Sequence, residues 1–285
     1  MLSLAKLTLL ACGALCTAFA GINIAVSLKC PKLVRVDVPI SKLPKHLQGL
    51  KILHISDIHN VSTKRIDVNI WDTVFKQDFD LAVITGDMTK EYFDQALPMK
   101  GALTRLAGYA PTFFVDGNHE QVHYSHMKAF MESCGICVLD NCKASVDING
   151  GSLDILGIRD YYYQKWQDFK PLEELMEGEA KGGFRLFLSH QPQVIDKLAD
   201  FNNLLVLSGH THGGQIRLPF VNTIVAPGQG FFPKYGDGLY KVKGSYLYIS
   251  RGIGASRIAL RFFNRPEIGL IRLTRPTPNT PKGKH

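Results

Sequence analysis

The chain lacks a second cysteine pair to match Cys134-x-x-Cys137. Its six cysteines stand at positions 12, 16, 30, 134, 137 and 142. A thiolate zinc site needs a further pair at suitable spacing, so none is expected. The thiols read instead as buried or unpaired groups in a reducing compartment. No basic run is interleaved with aromatics, which argues against a nucleic acid as partner. Internal repeats are also missing, which excludes solenoids and propellers. Charge is absent from residues 7–28.

That uncharged stretch of 22 residues is long enough to cross a ~30 Å hydrocarbon core at about 1.5 Å per residue. Only Lys6 precedes it, whereas Lys29, Lys32, Arg35, Lys42 and Lys45 follow. The positive-inside rule then predicts a single-pass membrane protein with a cytoplasmic C-terminal part. A cleaved signal peptide is the competing reading, since Ala18-Phe19-Ala20 has the small-x-small form. The exported protein would then be extracytoplasmic. Ile22, Ile24 and Val26 continue the apolar run past that point, which favours an anchor.

At 285 residues and 45% hydrophobic, the chain can bury a full core. Net charge is +8 and pI about 9.1, a balance that suits anionic partners such as phosphorylated metabolites or lipid head groups. Four segments are expected: a membrane-anchor or signal segment at 1–29, an extended connector at 30–50, a catalytic domain at 51–274 and a disordered basic tail at 275–285. The connector includes a short strand from Leu33 to Ile40. Lys51–Ser56, Leu81–Thr85 and Thr112–Val115 are short apolar runs separated by helical patterns, the first with Ile66, Ile70 and Val74 at i, i+4, i+8. This alternation predicts parallel strands with right-handed crossovers. After Gly135 the rhythm changes to hairpins, with turns at Asp140-Asn141 and Asn149-Gly150-Gly151. Phe184–Ser189 and Leu204–Leu207 are further apolar strands, followed by short strands up to Leu273.

Polar residues collect where these strands stop. Asp57 and His59, Asp87, Asn118 and His119, His190, and His210 and His212 follow five apolar runs. Each has an ordinary explanation. Asp57 could cap a helix, Asp87 could be a turn residue, Asn118 could fill a left-handed position, and the histidines could be surface groups. Ligands bind at the carboxyl ends of strands in such sheets, however, and all of these residues would share that edge. Two carboxylates, one carboxamide and four imidazoles suffice for two divalent ions with a shared ligand. Without a thiolate the donor set suits Mn first, then Fe or Zn, and suits Mg or Ca less well.

Asp57-x-His59, Gly86-Asp87, Gly117-Asn118-His119-Glu120, His190 and Gly209-His210-Thr211-His212 resemble the five motifs of the calcineurin-like metallophosphoesterases. His210-Thr211-His212-Gly213-Gly214-Gln215, Ala226-Pro227-Gly228-Gln229-Gly230 and Phe262-Phe263-Asn264-x-Pro266-Glu267 resemble its membrane-anchored YaeI- and YkuE-like phosphodiesterase branch. That branch is related in arrangement to LpxG-type UDP-2,3-diacylglucosamine pyrophosphatases of lipid A synthesis. The resemblance implies a two-sheet β sandwich flanked by helices, α/β in class. It implies that Asp57, His59 and His212 hold one metal, that Asn118, His190 and His210 hold a second, and that Asp87 bridges them. By the same resemblance His119 is no ligand but faces the scissile phosphate. Gly86-Asp87 lacks the following arginine of some branches, leaving Lys90 as the nearby cation.

Further residues are ambiguous in sequence. His54 reads as core. His123 and His126 read as a solvated helix face. Glu120 could accept from a metal-binding histidine or favour a helix N-terminus. Arg159 and Tyr161 follow a strand and could face substrate or simply pack. Phe231 and Phe232 could grip a lipid tail or plug the smaller sheet. The expected function is hydrolysis of a phosphodiester or pyrophosphate, with UDP-2,3-diacylglucosamine as the specific substrate. A general cell-envelope phosphodiesterase or monoesterase and a non-catalytic scaffold are the alternatives.

Overall fold

The computed structural model describes residues 6, 8, 12–15, 17–19, 21–23, 31–59, 70–160, 170–178, 183–214, 217–218, 222–226, 229–254 and 261–276. In chain order the strands are β1 (Lys32–Pro39), β2 (Lys51–Ile55), β3 (Leu81–Thr85), β4 (Thr112–Val115), β5 (Cys137–Val138), β6 (Cys142–Ile148), β7 (Gly151–Gly157), β8 (Arg185–Leu188) and β9 (Leu204–Ser208). Four two-residue strands follow: β10 (Arg217–Leu218), β11 (Asn222–Thr223), β12 (Val225–Ala226) and β13 (Gly230–Phe231). β14 (Gly238–Val242), β15 (Ser245–Ile249) and β16 (Glu267–Thr274) complete the set.

Two six-stranded sheets result, in the orders β1-β16-β2-β3-β4-β5 and β14-β15-β9-β8-β7-β6. Alternate side chains explain how they stack, because successive residues of a strand point to opposite faces. Ile52, Val83 and Val115 of the first sheet meet Ile155, Leu186, Leu188, Leu205 and Leu207 of the second in one buried core. The intervening residues Leu53, Ile55, Ala82, Ile84 and Phe114 pack outward against Leu103, Leu106, Met127 and Met131, on the helices Lys100–Tyr109 and Tyr124–Ser133. Leu156, Phe187, Val206 and Leu247 do the same against Leu172, Ile195 and Leu198. The central strands are thus covered on both faces, which is why they read as unbroken apolar runs rather than alternating ones. Truncating one of these leucines to alanine would cost about 2–5 kcal/mol. The layering is the expected α/β/β/α sandwich.

β2, β3, β4 and β5 pair in parallel, as do β7, β8, β9 and β15. The expected hairpin after Gly135 is β6–β7, antiparallel across its whole length. Two details depart from the sequence patterning. The helical pattern between Leu81–Thr85 and Thr112–Val115 starts as a 3-10 helix, Phe93–Met99, around Pro98, and only then becomes α-helical. Proline removes an i→i−4 hydrogen bond, so the first turns tighten. No hairpin forms across the Asp140-Asn141 turn, because β5 pairs in parallel with β4 in the first sheet while β6 begins the second. The strand expected within the connector is present as β1, an edge strand parallel to β16. Ile66 of the first expected helix lies outside the described residues, which include its helical part at 70–75.

The membrane expectation is corrected. Among the described residues no helix is long and apolar enough to cross a membrane. Residues 12–15, 17–19 and 21–23 are helical. The single-pass localisation and the transmembrane helix therefore fall. The described part of this segment meets the domain instead: Phe19 lies 5.9 Å from Phe263, ring to ring. The backbone N–H of Phe263 donates to Asn23 Oδ1 at 2.8 Å.

Candidate metal centre

Parallel strands bring their carboxyl ends to one edge, and the polar residues sit just past them. Asp57 follows the end of β2, Asp87 that of β3, Asn118 that of β4, His190 that of β8 and His210 that of β9. The loops are stitched together by backbone bonds, including Asp57 N–H to Gly86 O and His59 N–H to Asp87 O, both 3.0 Å, and Gly209 N–H to His190 O at 3.1 Å. Their approach requires glycine. A Cβ at Gly86 would stand 2.3 Å from Gly117 N, and one at Gly209 would stand 1.9 Å from Ser56 Oγ and 2.2 Å from Asp57 Oδ2.

Two groups of side chains converge. Asp57, His59, Asp87 and His212 form one, and Asp87, His190 and His210 form the other, with the ligand atoms of each group within 4.8 Å of one another. Asp87 belongs to both. Its Oδ2 lies 3.4 Å from His59 Nε2 and 3.3 Å from His190 Nε2. His59 Nε2 and His212 Nε2 are 3.0 Å apart, and His190 Nε2 and His210 Nδ1 are 3.2 Å apart. Asp57 Oδ1 faces His212 Nε2 at 3.4 Å.

Five of these residues hold left-handed backbone: φ is 51° at Asp57, 47° at His59, 53° at Asp87, 68° at His210 and 52° at His212. Such conformations cost about 1–3 kcal/mol each and persist only where the surroundings impose them. Asn118 Oδ1 is buried and accepts no hydrogen bond. A buried amide oxygen left that way needs an explanation. A cation beside it satisfies the oxygen, and hard oxygen with imidazole nitrogen is a fitting donor set for a divalent ion.

Burial sets the charge states. It holds His59 down at about 4 and His210 at about 3, and it keeps His212 well below its ordinary value. Neutral imidazole is the form that ligates metal. His190 runs the other way. Burial opposes its charge, but the Asp87 carboxylate outweighs burial and raises it well above its ordinary value. Burial likewise pushes Asp87 up, yet His190 more than reverses this and holds the carboxyl below the usual range. Burial lifts Asp57 to about 6.

The sequence model of one family, described as calcineurin-like phosphoesterase, matches residues 50–214. The chain belongs to the calcineurin-like phosphoesterases. It is 33% identical over 250 residues to an uncharacterized metallophosphoesterase of Helicobacter pylori strain J99, covering 85% of this chain and 64% of that protein. The chain therefore spans a little under two thirds of that relative. The uncharacterized metallophosphoesterase YkuE of Bacillus subtilis is 30% identical over 277 residues, with 93% of each chain covered. A Danio rerio protein described as a transmembrane protein with metallophosphoesterase domain is 30% identical over 260 residues, covering 85% of this chain and 57% of that one.

His119 stands at the rim of this calcineurin-like site, its ring 4.7 Å from that of His59. Its backbone N–H donates to Asp87 Oδ1 at 3.0 Å, and its Nε2 is 3.9 Å from Asp87 Oδ2. Its Nδ1 contacts the Lys90 carbonyl at 2.5 Å. Lys90 thus meets His119 through its backbone. Arg159 is engaged elsewhere: its guanidinium lies over Tyr124 at 3.3 Å and pairs with buried Asp116 at 3.4 Å. Tyr161 lies outside the described residues. Phe231 and Phe232 are 75% and 71% exposed, which is not the burial of a plug.

Glu120 does neither thing expected of it. Its carboxylate, wholly buried, accepts the backbone N–H groups of Asp87, Met88, Thr89 and Gly117 at 2.7–3.2 Å. Sequence reasoning also missed the support behind His212. Asn264 Nδ2 donates to the His212 carbonyl at 2.7 Å. Buried Arg261 approaches His212 Nδ1 at 3.4 Å and donates to the Arg251 carbonyl at 2.9 Å. Nothing in their spacing signals this, because they lie about 50 residues downstream.

Proposed function

We propose that this chain is a divalent-metal-dependent phosphoesterase that hydrolyses a phosphodiester or pyrophosphate. The position of Asp87 between two clusters of buried imidazoles carries this reading. Asp57, His59 and His212 would hold one cation, Asn118, His190 and His210 the other, and Asp87 both. Mn²⁺ is the ion this donor set favours. When bound, the two cations supply Lewis acidity and lower the pKa of water, so that hydroxide is available near neutral pH.

The residues then do three things. The Asp87 carboxylate fixes the spacing of the two clusters. The imidazole groups orient their nitrogens, those of His59, His210 and His212 without a competing proton. His119, directed by its contact with the Lys90 carbonyl, presents Nε2 towards the site. As imidazolium it would donate that proton to the leaving oxygen as the P–O bond breaks and the attacking oxygen bonds to phosphorus. The substrate class we place first is an amphipathic phosphate ester, for which UDP-2,3-diacylglucosamine is the type. The exposed Phe231 and Phe232 and the net charge of +8 support it.

Hydrolysis of bis(p-nitrophenyl) phosphate with added Mn²⁺ tests the activity, comparing wild type with Asp87→Asn. Metal-dependent turnover that vanishes in the variant is the expected result. No metal-dependent turnover by the wild type would favour a scaffold that keeps the fold as a binding surface, and equal turnover by both proteins would overturn the role of Asp87.

A further inference from the structure

We infer that His54 and Thr85 are positioning residues for Asp57, acting through Ser56, an inference that rests on the proposed cation site at Asp57. His54 lies within β2 and Thr85 ends β3, the strand paired beside it. Both are fully buried, as is Ser56. His54 Nε2 is 2.8 Å from Thr85 Oγ1, Thr85 Oγ1 is 2.8 Å from Ser56 Oγ, and Ser56 Oγ is 2.6 Å from Asp57 Oδ2.

Proton counting fixes the direction of this row. Asp57 as a carboxylate can only accept, so Ser56 spends its single hydroxyl proton on Oδ2. Thr85 must then donate to Ser56, and His54 must donate to Thr85. His54 is thereby held as the tautomer protonated at Nε2. Its Nδ1 is buried and has no hydrogen-bond partner, which agrees with a nitrogen that carries no proton. The His210 backbone N–H reaches both carboxylate oxygens at 3.1 Å; the row adds a second tie to Oδ2 and leaves Oδ1 directed at His212 Nε2, 3.4 Å away. Outer partners of this kind orient a ligand and are worth about 10–100-fold in metal affinity.

Thr85 also serves the other cluster, by a different atom. Its carbonyl contacts His190 Nδ1 at 2.7 Å, which leaves Nε2 for Asp87 and a cation. Removing the Thr85 hydroxyl should therefore affect one cluster and spare the other, a split that a general loss of packing would not produce.

The test is Mn²⁺ titration of the full chain followed by electron paramagnetic resonance, with Thr85→Val and Thr85→Ser beside wild type. Thr85→Val should weaken one of two Mn²⁺ sites about 10–100-fold and leave the second, and Thr85→Ser should restore it. Thr85→Val binding both ions as wild type does would overturn the inference. Should Thr85→Val fail to fold, ¹⁵N-histidine NMR of metal-free wild type still decides: Nε2–H at His54 supports the row, and Nδ1–H overturns it. A wild type that binds two Mn²⁺ ions without turnover refutes the proposed activity alone. A wild type that binds none removes the site that the row would serve, and the inference with it.

Discussion

The carboxylate of Glu120 receives the backbone N–H of Asp87 at 2.7 Å. The same oxygen takes the N–H of Gly117 at 2.9 Å, so one buried side chain clamps the loop after β3 to the loop after β4. Replacing it by alanine would strand four buried amide donors, each costing about 1–3 kcal/mol when left unsatisfied. We expect Glu120→Ala to melt well below wild type and to lose bound metal even where it folds. Thermal denaturation with elemental analysis of the folded fraction checks this; normal metal content would show that the clamp is dispensable.

His119→Ala should act on rate and not on metal content. General acid groups contribute about 10²–10⁴-fold, and the His119 imidazole lies outside both metal-ligating groups. The expected outcome is a kcat lower by that factor with both ions retained. Loss of a metal ion would make His119 a ligand.

Metal affinity should fall as pH falls. In the metal-free protein burial lifts Asp57 to about 6, and Asp87 holds the proton on His190 well above the ordinary histidine range. Both groups must shed a proton to ligate, so binding releases protons. The sign is fixed: below about pH 6 each released proton costs about tenfold in affinity per pH unit. Titration calorimetry at pH 6 in two buffers of different ionisation enthalpy counts the protons, and a buffer-independent heat would contradict the assignment.

Phe231→Asp with Phe232→Asp should leave stability within about 0.5 kcal/mol, since exposed substitutions seldom do more. Hydrolysis of a small water-soluble diester should be unchanged, whereas turnover of an acylated phosphate ester should drop. Equal loss on both substrates would mean that the pair supports the loop rather than the substrate.

Much of this architecture was legible before any coordinates, for a physical reason. Strands buried on both faces are continuous in hydrophobicity, so Leu81–Thr85 and Leu204–Leu207 stand out, and the polar groups that end them stand out too. The supporting layer was not legible. His54 and Thr85 are single polar residues inside apolar strands, where a satisfied core group and a ligand-orienting group look alike. Glu120 acts on backbone amides, which have no sequence signature. Asn264 and Arg261 reach His212 only through tertiary folding. The N-terminal stretch misled because hydropathy counts apolar residues without regard to the contacts they make, here with Phe263.

β16 lies between β1 and β2, antiparallel to the latter. The strand made last among those described is therefore an interior member of the first sheet, and β1 has no neighbour until it arrives. On a ribosome, residues 57–212 would emerge with every cation-facing side chain present but with β2 still an open edge. Chain synthesis thus imposes a checkpoint: the pocket can become rigid only after residues 267–274 have slotted home. A nascent chain stalled before them would expose β2 to pairing with other chains.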